Sequence, residues 1–92
     1  MTQTRALIAI HGHVQGVGFR FFTQQSAQQL NLAGWVRNQN DGSVELTAEG
    51  EKNNIENLLQ TLKDKHPWAK VNAIKIDWQP YTGEFRAFNI TH

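Results

Sequence analysis

A glycine-rich segment that ends in an arginine carries the residues best suited to chemistry. Glycines stand at positions 12, 16 and 18, and Arg20 follows two residues after the last of them. Glycine allows the backbone to turn sharply or to approach a ligand closely. If a helix follows, its unpaired N–H groups and its dipole favour an anion. Successive N–H groups from Gln15 to Arg20 could then surround a phosphoryl group, and the planar guanidinium of Arg20 matches phosphate oxygens.

A plainer interpretation of the same segment is a tight turn between a strand and a helix. The glycines would then only allow the backbone to turn, and Arg20 would be solvated. The segment is not a P-loop, because it lacks the lysine and the glycine spacing of that motif. Taken by itself, the segment leaves a phosphate site and a structural turn both open.

Hydrophobic periodicity predicts the elements that must position this segment. Residues 5–11 alternate between apolar and other side chains, as a half-buried strand does. Apolar residues after the glycine segment predict a helix over about residues 21–30. Asn31 could end this helix, because asparagine tolerates the left-handed conformation found past helix ends.

The second half of the sequence predicts a hairpin, a helix and further strands. Asp41-Gly42 is a strong hairpin signal between two alternating segments. Four apolar residues from Ile55 onwards have the spacing of one helix face. Glu51 suits the N-terminal end of that helix, and His66-Pro67 stops it. The predicted strands lie at 35–38, 44–48 and 74–78, with an optional edge strand within 85–90.

This order, β-α-β-β-α-β, predicts an α+β fold. Each helix connects two strands by a crossover that should be right-handed. Both helices then cover the same face of an antiparallel four- to five-stranded sheet, which is the ferredoxin-like sandwich. We expect residues 1–92 to form this fold as a single domain. A fold alone does not name a function.

Composition excludes several classes of protein. The 92 residues include no cysteine, which rules out a disulfide framework and thiolate metal sites. Nine basic and eight acidic residues give a net charge of +1. The overall charge therefore does not indicate binding to a polyanion. The polar start at Met1–Arg5 and the lack of a long apolar run argue against secretion and membrane insertion. We therefore expect a cytoplasmic monomer without nucleic-acid or membrane partners.

Two longer motifs of the sequence resemble acylphosphatase. They are GHVQGVGFRFFT, which begins at Gly12, and GWVRNQNDGSVE, which begins at Gly34. In that family a loop of the first kind and a hairpin of the second kind lie side by side in a ferredoxin-like fold. The resemblance runs over the whole chain and is most specific over residues 12–22 and 34–45. Two motifs of this length, in this order and separation, very rarely coincide by chance.

The resemblance implies a role for each matching residue. Arg20 matches the arginine that holds the substrate phosphate, and Asn38 matches the asparagine that orients the attacking water. Two positions are less typical, since His13 stands where a basic residue is expected and Gln39 where threonine is expected. The residues that match the phosphate-binding backbone of the family are Gln15, Gly16, Val17, Gly18 and Phe19.

The implied reaction is hydrolysis of an acyl phosphate to a carboxylate and inorganic phosphate, without metal or cofactor. The leaving carboxylate has a pKa of about 4 and departs unprotonated at neutral pH, so no general acid is needed. The transition state is loose, and positioning and charge neutralisation do most of the catalysis. Arg20 and the backbone N–H groups would supply the charge that a metal supplies in other phosphatases. An amide is a poor base, and the resemblance implies that a substrate phosphate oxygen accepts the proton of the water that Asn38 aligns.

Two functions outside this enzymatic interpretation remain open on the sequence. RNA-recognition modules share the element order, but their aromatic motif belongs on the third strand, whereas GVGFRFF falls in the loop and the first helix. The second alternative is a non-catalytic module of the same family, like those fused to larger proteins that handle carbamoyl phosphate. We expect no such partner domain, because the chain ends at residue 92.

The histidines give little support for a metal site. His11 and His13 could lie on one face of a strand, but no third ligand is adjacent and no carboxylate motif completes a site. We expect His66, near a helix end, and His92 to be solvated.

Overall fold

Five strands and two helices form the computed structural model, which describes residues 2–92. The predicted β-α-β-β-α-β order is confirmed, and the optional edge strand forms as well. The elements, in chain order, are β1 (Gln3–His13), α1 (Phe19–Gln29), β2 (Ala33–Asn38), β3 (Val44–Glu51), α2 (Lys52–Asp64), β4 (Lys70–Gln79) and β5 (Phe88–Ile90).

The sheet has the strand order β4-β1-β3-β2-β5. Neighbours among the first four strands are antiparallel, as expected for the ferredoxin-like α+β fold. β5 departs from the expected antiparallel arrangement, because it pairs in parallel with β2, with Phe88 opposite Gly34. The sheet is therefore mixed.

The direction of β5 follows from the path of the chain. The strand registers place Gln79 opposite Arg5, Arg5 opposite Glu49, and Glu49 opposite Ala33. This row crosses the sheet at the end where β4 stops and β2 begins. Residues 80–87 run along that end of the sheet, so β5 starts beside the start of β2 and points the same way.

Glu49 fastens residues 80–87 to the sheet. Its side chain lies on the face opposite the helices and is only 2% exposed. The carboxylate accepts hydrogen bonds from the Thr82 N–H (2.9 Å), the Thr82 hydroxyl (2.7 Å) and the Gly83 N–H (3.1 Å), with the Arg5 guanidinium at 3.5 Å. Burial alone would raise the pKa of Glu49, but these hydrogen bonds and the charge of Arg5 outweigh it and hold the pKa below its ordinary value.

One apolar core lies between the sheet and the two helices. β1 contributes Ala6, Ile8 and Ile10, which alternate along the strand and are fully buried. Full burial of a large apolar side chain stabilises the fold by roughly 1.5–3 kcal/mol. The predicted stripe of α2 is also buried in this core and comprises Ile55, Leu58, Leu59 and Leu62.

The first helix begins earlier than its sequence pattern predicts. α1 starts at Phe19 rather than near residue 21, so Arg20 lies in its first turn. Asn31 follows the helix with φ of 57°, the left-handed conformation expected of it. The string GVGFRFF therefore lies in the loop and α1, and β3 has no aromatic residue of the kind that RNA-recognition modules carry there. Within residues 2–92, neither helix is long and apolar enough to span a membrane.

Candidate active site

Two glycines shape the chain between β1 and α1. At Gly12, φ is 139° and an added Cβ would lie 2.0 Å from the carbonyl oxygen of Lys70, because the backbone of β4 passes too close for a side chain. Gly18 precedes the first residue of α1 with φ of 75°, a left-handed conformation that glycine adopts without strain. The chain can therefore leave the sheet, turn sharply and start a helix at Phe19.

The loop that ends at Gly18 offers unpaired hydrogen-bond donors. Among the hydrogen bonds within residues 2–92, none uses the N–H groups of Gln15, Gly16, Val17 or Gly18. The first N–H groups of an α-helix also lack intrahelical acceptors. A run of unpaired N–H groups at a helix start favours an anion, because the helix dipole adds to the local donors. We call the backbone of residues 15–19 the cradle.

Part of the cradle and the first turn of α1 border one open cleft, with a volume of 370 Å³. Five of the predicted site residues line it, whereas Gln15 and Val17 do not. Three further lining residues were not predicted, and they come from the start of the loop and from β5 and its continuation. The lining residues are Val14, Gly16, Gly18, Phe19, Arg20, Asn38, Ile90 and His92.

Arg20 carries the positive charge of the cleft. Its side chain is half-buried in the first turn of α1, and its Nη1 lies 3.2 Å from Nδ1 of His92. No carboxylate in the described part of the chain forms an ion pair with Arg20. The guanidinium charge is therefore free to interact with an anion in the cleft.

Asn38 reaches the cleft from the end of β2. It is exposed, it lies opposite Val44 in the register with β3, and its amide makes no hydrogen bond to residues 2–92. The amide can both donate and accept a hydrogen bond. Arg20 and Asn38, which are predicted as a pair from the sequence, thus line the same cleft from a helix start and a strand end.

The side chain of Gln15 joins the cradle to the β2–β3 hairpin. Its Nε2 donates to the carbonyl oxygens of Gln39 and Ser43, each at 2.8 Å. The hairpin turn is itself held by Asp41, whose carboxylate accepts from the Ser43 hydroxyl (2.6 Å) and N–H (2.9 Å). These hydrogen bonds lower the pKa of Asp41. Gln15 is thus tied to the hairpin that carries Asn38, and its side chain is not directed at the cleft.

His66 and His92, which we expected to be solvated, each make a specific contact. His66 is half-buried, and its Nδ1 accepts from the N–H groups of Trp68 and Ala69, each at 3.1 Å. Its ring packs edge-on to Phe22, with centroids 5.0 Å apart, and contacts Phe19 behind the cradle. His92 is exposed but contacts Arg20.

No local sequence pattern predicts where the side chains of these two histidines lie in the fold. His66 is placed by its packing against Phe22 of α1, and His92 is placed by the pairing of β5 with β2. The alternation of Phe88 and Ile90 is the only sequence signal near His92, and it gives no strand partner. Residues 2–92 contain no group of three or more His, Asp or Glu side chains that could together hold a metal ion.

Comparison with known proteins gives one family over nearly the whole chain. A family model described as Acylphosphatase matches residues 6–90. The chain is similar to an acylphosphatase of Pelotomaculum thermopropionicum, with 41% identity over 90 residues that cover 98% of each protein. It is also similar to the crystal structure of acylphosphatase from Bacillus subtilis, with a TM-score of 0.92, 37% identity, and coverage of 97% of this chain and 99% of that one.

A longer protein contains a similar unit. The crystal structure of T. kodakarensis HypF matches 97% of this chain with a TM-score of 0.84 and 33% identity, but the match covers only 12% of HypF. The acylphosphatases, by contrast, match this chain over almost their own full length. The chain therefore belongs to the acylphosphatase family, whose members are metal-independent hydrolases acting on acid anhydrides.

Proposed function

We propose that the cradle and Arg20 bind the phosphate group of an acyl phosphate, and that Asn38 orients the water that attacks phosphorus. The observation that carries this proposal is the convergence of three unpaired groups on one cleft. They are the loop N–H groups, an arginine without a carboxylate partner and an asparagine amide without a hydrogen bond to residues 2–92.

The cradle would bind phosphate through its backbone. Gly16, Gly18 and Phe19 line the cleft, whereas Gln15 and Val17 do not, so the proposed part of Gln15 and Val17 is limited to the unpaired N–H groups of the same loop. The ring of Phe19 is 1% exposed and packs in the core, so its backbone is the part that faces the ligand. The Arg20 guanidinium adds a planar set of N–H donors whose charge complements the phosphate oxygens.

The charge of the cleft suits a phosphate that becomes more strongly bound in the transition state. Its lining side chains include the cationic Arg20 and no carboxylate, so no lining side chain carries a negative charge that would repel an anion. Fixed donors aimed at developing charge need no reorganisation during the reaction. The leaving carboxylate needs no proton from the protein, because it is a weak base at neutral pH.

Asn38 would act by alignment and not by proton abstraction. Its amide oxygen can accept a hydrogen bond from the attacking water, and its NH2 group can donate one to the water oxygen. An amide cannot take up the proton of the water at neutral pH, so that proton passes to a phosphate oxygen of the substrate. The products are a carboxylate and inorganic phosphate.

The proposal includes the state and location in which the protein works. One chain supplies the loop, Arg20 and Asn38 that the proposed reaction uses, so the proposal requires no second copy. Absence of cysteine fits a reducing cytoplasm, where disulfides do not form. We therefore propose a cytoplasmic monomer that acts on small acyl phosphates.

Phosphate release from acetyl phosphate and benzoyl phosphate tests this function, with p-nitrophenyl phosphate as the ester control. We expect hydrolysis of both acyl phosphates, little hydrolysis of the ester, and no loss of rate in excess EDTA. The ester should react poorly because its leaving phenolate is a much stronger base than a carboxylate. Activity that EDTA abolishes and added Mg²⁺ or Zn²⁺ restores would overturn the mechanism.

A further inference from the structure

His92 meets Arg20 through an atom whose chemistry can be assigned. The Nη1 of Arg20 lies 3.2 Å from Nδ1 of His92. A guanidinium has only donors, so Nδ1 of His92 must be the acceptor in this hydrogen bond. His92 thus holds the guanidinium through the lone pair of a ring nitrogen.

The position of His92 is fixed by the strand that precedes it. The N–H of Thr91 donates to the carbonyl oxygen of Val36 at 2.8 Å, which continues the pairing of β5 with β2. Phe88 is fully buried, and its carbonyl oxygen accepts from the Gln24 amide of α1 at 3.2 Å. His92 therefore follows directly on backbone that is bonded to both β2 and α1, the elements that supply Asn38 and Arg20.

We propose that His92 is a positioning residue for the reaction, and that it pre-orders the Arg20 guanidinium for phosphate. The proposal rests on the proposed function of Arg20. A free arginine side chain samples many rotamers, and ordering it during binding reduces affinity. A hydrogen bond that already holds one nitrogen removes part of that loss.

A neutral acceptor is well suited to this task. A carboxylate at the same place would form an ion pair with Arg20 and compete with the substrate phosphate for its donors. The imidazole occupies one N–H of Nη1 and leaves the remaining guanidinium N–H groups for a ligand. Among the residues that line the cleft, Arg20 and His92 are the titratable ones, so no other charged side chain of the lining competes for this contact.

Two substitutions separate this acceptor role from simple packing. His92→Ala removes the acceptor, whereas His92→Asn places an amide oxygen the same number of bonds from Cβ as Nδ1. We expect His92→Ala to weaken inorganic phosphate binding and to lower kcat/KM for benzoyl phosphate by a similar factor, roughly 2–10-fold for one ordinary hydrogen bond. We expect His92→Asn to recover most of both losses, and Asn89→Ala, on the same strand, to change neither.

A double-mutant cycle with Arg20→Gln then decides whether His92 acts through Arg20. If it does, His92→Ala has little further effect on phosphate binding once Arg20 is replaced. The proposal is overturned if His92→Ala binds phosphate normally, if His92→Asn is as impaired as His92→Ala, or if the losses simply add. If His92→Ala binds phosphate normally while Arg20→Gln binds it weakly, only the role proposed for His92 is wrong. If Arg20→Gln binds phosphate as well as the wild type does, the proposed function itself is wrong.

Discussion

The side-chain nitrogen of Gln15 lies 2.8 Å from the carbonyl oxygen of Ser43, and this contact joins the two halves of the site. Gln15 begins the cradle, and Ser43 closes the hairpin turn that follows Asn38. The same nitrogen also donates to the carbonyl oxygen of Gln39. Both N–H groups of the amide are thereby used, so one side chain sets the distance between the cradle and the strand end that carries Asn38.

Replacing Gln15 should therefore impair catalysis more than phosphate binding. In Gln15→Glu a carboxylate oxygen would face two carbonyl oxygens, so the variant should separate the loop from the hairpin and lower kcat at least tenfold. Loss of two partly buried hydrogen bonds should reduce the free energy of unfolding by roughly 1–3 kcal/mol. Steady-state kinetics and urea unfolding measure the two effects. Gln29→Glu, an exposed change at the end of α1, is the matched control. Unaltered kcat in folded Gln15→Glu would show that the contact does not position Asn38.

Inorganic phosphate should stabilise the protein, because the proposed function makes it a product that the cradle binds. At about one hundred times its dissociation constant, phosphate should add about 2.7 kcal/mol to the free energy of unfolding. For a domain of this size that corresponds to a rise in Tm of roughly 10–20 °C. Thermal unfolding in phosphate and in chloride at equal ionic strength measures the difference. The cradle assignment is wrong if the two anions shift Tm equally.

Replacing Arg20 should change both phosphate affinity and kcat, whereas replacing Asn38 should change kcat alone. Arg20 would touch phosphate in both ground and transition states, so Arg20→Gln should weaken phosphate binding and lower kcat. Asn38 would hold only water, so Asn38→Ala should lower kcat with phosphate affinity nearly intact. Loss of one preorganised donor typically lowers the rate by roughly 10²–10³, and we expect at least that for each variant.

Calorimetric titration with phosphate, combined with steady-state kinetics, separates these two behaviours. Arg86→Gln and Asn40→Ala are matched controls, since both residues are exposed and outside the cleft lining. Melting curves exclude a loosened strand end as the cause of any loss in Asn38→Ala. The assignment of water to Asn38 fails if the variant stays folded, keeps near-normal kcat and loses phosphate binding.

Glu49 should make stability depend on acid pH. Its pKa is lowered in the folded protein, so its contribution to stability is present above the ordinary glutamate pKa of about 4.3 and is lost as pH falls through the lower folded value. Glu49→Gln should be destabilised at pH 7, by roughly 1–3 kcal/mol, because an amide cannot accept all the hydrogen bonds that the carboxylate accepts.

Urea unfolding of the wild type and Glu49→Gln at several pH values tests this dependence. The difference between the two proteins should be largest at neutral pH and should shrink as pH falls below the ordinary glutamate pKa of about 4.3, because the unfolded chain takes up a proton before the folded carboxylate does. Glu56→Gln, an exposed change on α2, should show no such dependence. A constant difference across the whole range would mean that ionisation of Glu49 does not stabilise the fold.

Local sequence patterns predict most of the fold because they report burial directly. The apolar stripe from Ile55 to Leu62 and the alternation in β1 follow from which face each side chain presents to the core. The start of α1 was predicted two residues late, because Gly18 precedes it without a side-chain cap and the first turn has no acidic residue. The glycine loop and Asn38 were found through motifs, and both reach the cleft.

What the sequence could not predict depends on pairing between distant segments. β5 is three residues long, so its own pattern specifies neither its partner nor its direction. The contact of His92 with Arg20 follows from that pairing, and it was missed for this reason. The hydrogen bonds of the Gln15 side chain were missed similarly, since their acceptors are carbonyl oxygens of the hairpin, which any residue type could supply.

The register of β1, which pairs with a strand on each side, also bears on how fast the protein folds. β1 pairs Gln3 with Glu51 on one side and Arg5 with Gln79 on the other, so both its partners are remote in the chain. Such non-local pairing slows folding relative to helical bundles of the same size, because long loops must close before the contacts form. The cleft draws on residues from Val14 to His92. During refolding, enzymatic activity should therefore return with the last strand to pair, and no helix or hairpin formed earlier can hydrolyse substrate.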